Sequence, residues 1–128
     1  MLLPDHLHCI WTLPEGDVDY STRWGRIKAG FTRRVSGALP DPAPPSVSRQ
    51  KHREGTVWQR RFWEHTIRDH RDFEAHCDYV HYNPIKHGLA TAPRDWAWTT
   101  FHRFVDAGRC PEDWGAAPIV FEAVVGRE

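Results

Sequence analysis

The chain has 128 residues, of which 40% are hydrophobic, and this suffices for one folded domain, 1–128, with a modest core. No apolar run approaches the roughly 20 residues of a membrane-spanning helix, and we expect no signal peptide. Three widely spaced cysteines predict a reducing, cytoplasmic setting rather than a disulfide framework. The net charge of zero hides a basic centre: residues 20–61 carry +8, whereas 1–19 and 62–128 carry −4 each. This asymmetry favours a polyanionic partner, and an ordinary solvated surface is the alternative.

The first predicted element is a strand at residues 7–13, within the stretch PDHLHCIW and its continuation. Apolar and polar residues alternate with period two, which places His6 and His8 on one face of the strand. Two adjacent imidazoles can share one divalent cation. The alternative is a pair of partly buried histidines that only make hydrogen bonds.

A helix is predicted next, capped by Ser21 or Thr22 and ending near Val35. Its apolar residues recur at helical spacing and leave a basic side. The apolar stripe contains Trp24, Ile27, Phe31 and Val35, and the basic residues are Arg23, Arg26, Lys28, Arg33 and Arg34.

Residues 36–56 are predicted to form a flexible loop, because four prolines in its first part disfavour helix and central strand. Residues 57–68 are rich in aromatic and β-branched side chains, which predicts a strand or hairpin. This segment holds Arg60 and Arg61, and its Trp58, Phe62 and Trp63 are candidates either for stacking on bases or for core packing.

A second helix is predicted from Arg71 to about Tyr82, stopped by the proline of Asn83-Pro84. Four residues separate Tyr79 from Asn83, so both side chains share one flank of this helix, beside His76. Tyr82 is predicted to point away from the core, as a surface ring. A short aromatic-rich helix is expected around residues 96–104, and the tail 106–128 carries no clear signal.

The ordered motifs PDHLHCIW, WQRRFWEH and YVHYNPIKHGL, with a basic helix between the first two, resemble the REP-associated tyrosine transposases. These belong to the single-tyrosine HUH superfamily, in which two histidines flank one hydrophobic residue, as in His6-Leu7-His8. The resemblance covers roughly residues 1–105 and implies an α+β fold, a ferredoxin-like antiparallel sheet with helices on one face. Family members have a further strand and helix ahead of the histidines, so we expect a truncated copy or a start assigned too far downstream.

The resemblance also implies residue roles. Tyr79 would be the catalytic nucleophile that forms a 5′-phosphotyrosine, and His6, His8 and Asn83 would bind a divalent metal, Mg²⁺ or Mn²⁺. The substrate would be single-stranded or hairpin DNA at palindromic repeats. The expected DNA-binding residues are Arg23, Arg26, Lys28, Arg33, Arg34, Arg60 and Arg61.

Two other functions stay open at this point: a DNA-binding remnant of such a transposase that cannot cut, and a small protein in which His6 and His8 bind structural zinc. A membrane partner is not expected. The chain could act as a monomer or a homodimer.

Overall fold

The computed structural model describes residues 1–38, 47–51, 57–59 and 62–120. Four α-helices occur in these ranges: α1 at Tyr20–Val35, α2 at Val47–Lys51, α3 at His70–Lys86 and α4 at Phe101–Asp106. A single 3₁₀ turn at Pro93–Asp95 lies between α3 and α4. Of the helices described, none has the length and apolar character required to cross a membrane.

The chain divides into two compact units. One unit combines Met1–Trp11 with the described residues from His65 onward, and therefore contains α3 and α4. The other consists of the described part of Thr12–Glu64, with α1 and α2. The predicted histidine, tyrosine and asparagine site falls entirely within the first unit.

The predicted ferredoxin-like antiparallel sheet is wrong for this structure, which has no β-strand in its described residues. Residues 7–13 form no strand, and the one isolated bridge nearby joins Leu2 to Leu7. Residues 62–68 have no regular structure either, and the predicted strand or hairpin is absent there. Alternation predicts an extended backbone, but a ladder also needs an extended neighbour for its N–H and C=O groups. Here that neighbour reaches only from Met1 to Leu3.

Helix α1 matches the predicted range closely, although its cap differs. Asp19 is the N-cap, and its carboxylate accepts a hydrogen bond from the Thr22 backbone N–H at 3.1 Å. Ile27 and Phe31, from the predicted apolar stripe, are 46% and 45% exposed. Within the predicted loop 36–56, residues 39–46 and 52–56 lie outside the described residues, and α2 occupies part of the remainder.

Helix α3 begins one residue before the predicted Arg71 and ends later than expected. The Asp69 side chain accepts from the Asp72 N–H at 2.8 Å and so satisfies one free donor of the first turn. The helix continues through Pro84 to Lys86, without the hydrogen bond that a residue 84 N–H would donate to the Val80 carbonyl. Gly88 N–H donates to the Ile85 carbonyl at 2.9 Å and Leu89 N–H to the Pro84 carbonyl at 2.8 Å. This is a Schellman ending, with Gly88 at φ +67°.

The core of the first unit is built around Phe101, which has no exposed surface. The Trp114 ring lies 6.0 Å from that of Phe101, so the segment after α4 packs on this core. Gly115 has φ +75°, and a Cβ there would lie 2.9 Å from Pro93 Cγ. A side chain at position 115 would therefore both strain the backbone and collide with the 3₁₀ turn.

A buried histidine on α3 makes the stability of this unit depend on pH. Burial lowers the pKa of His81 to about 4, and the positive amino terminus of Met1 contributes in the same direction. The imidazole is 3% exposed and hydrogen-bonds to Thr100 Oγ1 at 3.0 Å. It is therefore neutral in the folded chain at pH values where it is protonated in the unfolded chain.

We expect the free energy of unfolding to be highest above pH 6.5 and to fall by about 3 kcal/mol as the pH decreases to 4. Urea unfolding between pH 7 and 4.5 measures this slope. His81→Gln should flatten it, whereas His70→Gln, at a side chain that is 77% exposed, should leave it unchanged. A slope that persists in His81→Gln would assign the effect to another group.

Candidate active site

The N-terminal histidines and the tyrosine of α3 meet in the first unit. The His8 and Tyr79 ring centroids are 5.7 Å apart, and those of His6 and His8 are 5.1 Å apart. His6 Nε2 lies 3.4 Å from Asn83 Oδ1. The structure thus brings together all four residues that the sequence singled out, although they are separated by some 70 positions.

His6 has one nitrogen engaged and the other directed inward. Its Nδ1–H donates to the Asp5 carboxylate at 2.7 Å, and this interaction lowers the pKa of Asp5. In the neutral ring Nε2 then carries a lone pair, and it faces the carbonyl oxygen of Asn83, which is also an acceptor. Either a cation between them or an Asn83 amide turned so that Nδ2–H donates to Nε2 makes this arrangement favourable. A carboxylate behind a histidine is also the usual support for a metal-binding imidazole.

Asn83 supports the same interpretation of the site. It is fully buried, and its Nδ2 has no hydrogen-bond partner among the residues that the structure describes. Buried amides are normally satisfied, so either a ligand at Oδ1 or a turned amide completes this one. Imidazole nitrogen and amide oxygen together suit a divalent cation such as Mn²⁺, whereas Mg²⁺ prefers oxygen alone. The donor set therefore fits a divalent metal.

Backbone hydrogen bonds fix the N-terminal segment that carries the histidines. Leu3 N–H donates to the His6 carbonyl at 2.9 Å, and His8 N–H to the Met1 carbonyl at 3.1 Å. Leu2 N–H donates to the Trp98 carbonyl at 2.9 Å, while the Trp96 indole donates to the Leu2 carbonyl at 2.9 Å. The turn at Pro4 and Asp5 is thereby tied to the segment before α4, without a sheet.

Two residues at the end of α3 also belong to the site, and the sequence reasoning missed them. Lys86 Nζ donates to Tyr79 Oη at 2.8 Å. The exposed His87 ring lies 5.0 Å from that of His6. Lys86 follows Tyr79 by seven residues, about two helical turns, so this spacing could have identified it.

A separate group, His65, Asp72 and His76, has nitrogen and oxygen atoms within 4.8 Å of one another and could in principle hold a metal. His65 Nε2–H donates to the Asp72 carboxylate at 2.8 Å, and the His76 Nδ1–H donates to the Asp72 backbone carbonyl at 2.8 Å. A protonated Nδ1 is not a ligand.

The ring geometry of this group also opposes metal binding. The His65 and His76 rings are stacked at 4.3 Å with 14° between their planes, and one ion cannot lie in both planes. The hydrogen bond from His65, followed by those from Arg68, holds the pKa of Asp72 well below its usual range. The group therefore joins residues 65–68 to the first turn of α3.

The predicted DNA-binding residues of α1 lie in the other unit and differ in their surroundings. Arg26, Arg33 and Arg34 are exposed, whereas Arg23 forms an ion pair with Asp17. Lys28 Nζ donates to the Gln59 carbonyl at 2.9 Å. Arg60 and Arg61 lie outside the described residues.

The aromatic residues of this unit are mostly engaged with one another. Trp58 packs on Phe31 at 5.3 Å between ring centroids, and the Phe62 and Tyr20 centroids are 6.1 Å apart. Trp63, by contrast, is 54% exposed. Trp58 and Phe62 therefore pack on neighbouring aromatic rings, while each stays partly exposed.

Comparisons with known proteins support the resemblance noted in the sequence. The chain is 48% identical over 118 residues to a Haemophilus influenzae protein that carries the name REP-associated tyrosine transposase. It is 43% identical over 123 residues to the REP-associated tyrosine transposase of Escherichia coli K12. These alignments cover 91% and 96% of the chain but 65% and 64% of the relatives, so the chain spans somewhat less than two thirds of their length. No family model matches the chain.

A solved structure of a REP-associated tyrosine transposase bound to a REP hairpin is also similar, at 41% identity and a TM-score of 0.68. The match covers 92% of this chain and 60% of that one. In sequence and in fold, the chain is therefore similar to tyrosine transposases. Its relatives at 43% and 48% identity carry the name REP-associated tyrosine transposase, and the resemblance of its motifs to that family is confirmed.

Proposed function

We propose that this chain binds hairpin DNA and cuts one strand beside the hairpin through a covalent bond to Tyr79. The observation that carries the proposal is the meeting of the Tyr79 ring with His8 at 5.7 Å, beside the facing His6 Nε2 and Asn83 Oδ1. The related structure bound to a REP hairpin supports the choice of substrate. The whole relatives are longer than this chain, so their activity is proposed here for the shared part.

In the proposed reaction, the Tyr79 oxygen attacks the phosphorus of one phosphodiester. The new Oη–P bond forms as the bond from phosphorus to the 3′ oxygen breaks, which leaves a 5′-phosphotyrosine and a free 3′-hydroxyl. Because the phosphotyrosine is still a diester, another 3′-hydroxyl can reverse the step and join strands without a nucleotide cofactor. Tyr79 is 7% exposed, so a phosphate would reach its oxygen from the side of the more open histidines.

His6, His8 and Asn83 would hold a divalent metal, Mg²⁺ or Mn²⁺, and Asp5 would orient His6 through its Nδ1–H. When bound, the ion supplies Lewis-acid polarisation of the phosphate and a template for its orientation. The chain's own residues align the tyrosine: α3 fixes Tyr79 and Asn83 on one face, four residues apart.

The exposed Arg26, Arg33 and Arg34 of α1 would contact phosphates of the DNA, as would Arg60 and Arg61. Arg23 and Lys28 are also proposed contacts, although each already has a partner within its unit. Such contacts release counterions, so binding should weaken steeply with salt.

A label-transfer assay tests the proposed function. The chain is incubated with Mn²⁺ and a hairpin oligonucleotide carrying single-stranded flanks, labelled at either end, and resolved on a denaturing gel. We expect the 3′-end label to migrate with the protein, because the tyrosine takes the 5′-phosphate of the downstream fragment. The 5′-end label should remain on a shorter free strand.

Two results would contradict the proposal. Transfer of the 5′-end label instead would mean the opposite polarity of cleavage. A salt-sensitive mobility shift in a native gel, with neither label attached to protein, would favour the DNA-binding remnant.

A further inference from the structure

The Lys86 ammonium contacts Tyr79 Oη, the reacting atom of the proposed site. Its Nζ lies 2.8 Å from Tyr79 Oη and 4.8 Å from the centre of the Tyr79 ring. Since the ammonium is much closer to the oxygen than to the ring centre, it donates a hydrogen bond to the oxygen rather than to the π face of the ring. This is a charge-assisted hydrogen bond, stronger than one between neutral groups.

The position of Lys86 is set by the end of α3. It is the last residue of the helix, and the cap that follows fixes that turn: His87 N–H donates to the Asn83 carbonyl at 3.1 Å. A cation there is also favoured by the helix dipole, whose negative end lies at the C-terminus. Tyr79, Asn83 and Lys86 are spaced by four and three residues and therefore share one face of α3.

We infer that Lys86 is a catalytic residue for cleavage and rejoining, an inference that rests on the proposed function of Tyr79. Its ammonium donates a hydrogen bond to the phenol oxygen and stabilises the negative charge that this oxygen carries as it attacks. In the reverse direction the same oxygen is the leaving group, and the same ammonium stabilises the charge that returns to it. One donor therefore serves both directions.

Lys86 neither gives up nor takes a proton during the step. The phenol proton passes to solvent, the Oη–P bond forms and the bond to the 3′ oxygen breaks with its electron pair on that oxygen. The 3′ oxygen then takes one proton from solvent. Lys86 keeps its three protons throughout and contributes charge and direction to the oxygen of Tyr79.

Single-turnover adduct formation with Lys86→Met tests the inference. We expect the rate to fall about 100-fold, the usual effect of removing one such donor, with unchanged affinity for the hairpin oligonucleotide. Lys86→Arg, which keeps the charge, should recover much of the loss. In Lys86→Ala, added methylammonium should restore part of the rate, because the exposed site admits a small cation. Lys51→Met, at an exposed lysine of α2, removes the same charge elsewhere and should retain the rate.

The controls separate this inference from the proposed function. If wild type forms an adduct that Tyr79→Phe loses while Lys86→Met keeps the wild-type rate, the role of Lys86 is overturned and that of Tyr79 stands. A purely structural Lys86 would lower the unfolding midpoint together with the rate and would not respond to methylammonium, which also overturns the inference. A wild-type chain that forms no adduct overturns both.

Discussion

Replacing Tyr79 with phenylalanine is expected to abolish the covalent protein–DNA adduct, with a loss of more than about 1,000-fold relative to wild type. The substitution removes one oxygen atom, which is the proposed nucleophile, and leaves the ring that packs beside His8. Without that oxygen no phosphotyrosine can form, whatever the metal or the DNA. Adduct on a denaturing gel, at saturating hairpin oligonucleotide, measures the effect.

Tyr82 provides a matched control on the same helix. Its oxygen accepts a hydrogen bond from the Ile119 N–H at 3.4 Å, and its ring lies 6.4 Å from that of Trp114, so it is only partly exposed and not the surface ring that was predicted. Tyr82→Phe should therefore keep adduct formation within a few-fold of wild type. An adduct that persists in Tyr79→Phe and disappears in Tyr82→Phe would show that Tyr82, and not Tyr79, is the nucleophile.

Replacing the paired histidines should remove metal binding. We expect His6→Ala and His8→Ala each to weaken Mn²⁺ affinity by at least about 100-fold, because each removes a proposed ligand. Asp5→Asn should lower the Mn²⁺ affinity by about 10-fold, since the supporting carboxylate is lost while the His6 imidazole remains. Titration of Mn²⁺ by its paramagnetic resonance signal measures affinity without relying on activity.

Substitutions in the group His65, Asp72 and His76 show which of the two candidate sites binds Mn²⁺. His70→Ala, at an exposed side chain, should leave Mn²⁺ affinity unchanged. If binding survives His6→Ala and His8→Ala but is lost in His76→Ala, the ion belongs to His65, Asp72 and His76 instead. That result would contradict both the proposed ligand set and the stacking argument against this group.

Local signals in the sequence predicted the helices well, since their spacing and caps are properties of short segments. The ranges of α1 and of the start of α3 follow from apolar periodicity, whereas the N-caps Asp19 and Asp69 were not predicted. The four-residue spacing likewise predicted that Tyr79 and Asn83 share a face. The end of α3 was predicted too early because Pro84 alone was considered, whereas the Schellman bonds of Gly88 and Leu89 define the last turn.

The predictions that were wrong concern features that depend on residues distant in the sequence. Alternation at residues 7–13 indicates an extended backbone but does not say whether a neighbour exists to complete a ladder. Cys9, on the apolar side of this alternation, is exposed. The contact of Lys86 with Tyr79 was accessible from spacing, but a terminal helical lysine is usually a solvated charge, so spacing alone gave it no priority.

Mass spectrometry of the nuclease-trimmed adduct tests the central claim most directly, because it locates the covalent bond. Trypsin releases residues 72–86 as one peptide that contains both Tyr79 and Tyr82, and fragment ions separate the two positions. The account predicts a nucleotide 5′-phosphate on Tyr79. A nucleotide on Tyr82, or on a residue outside this peptide, would contradict it.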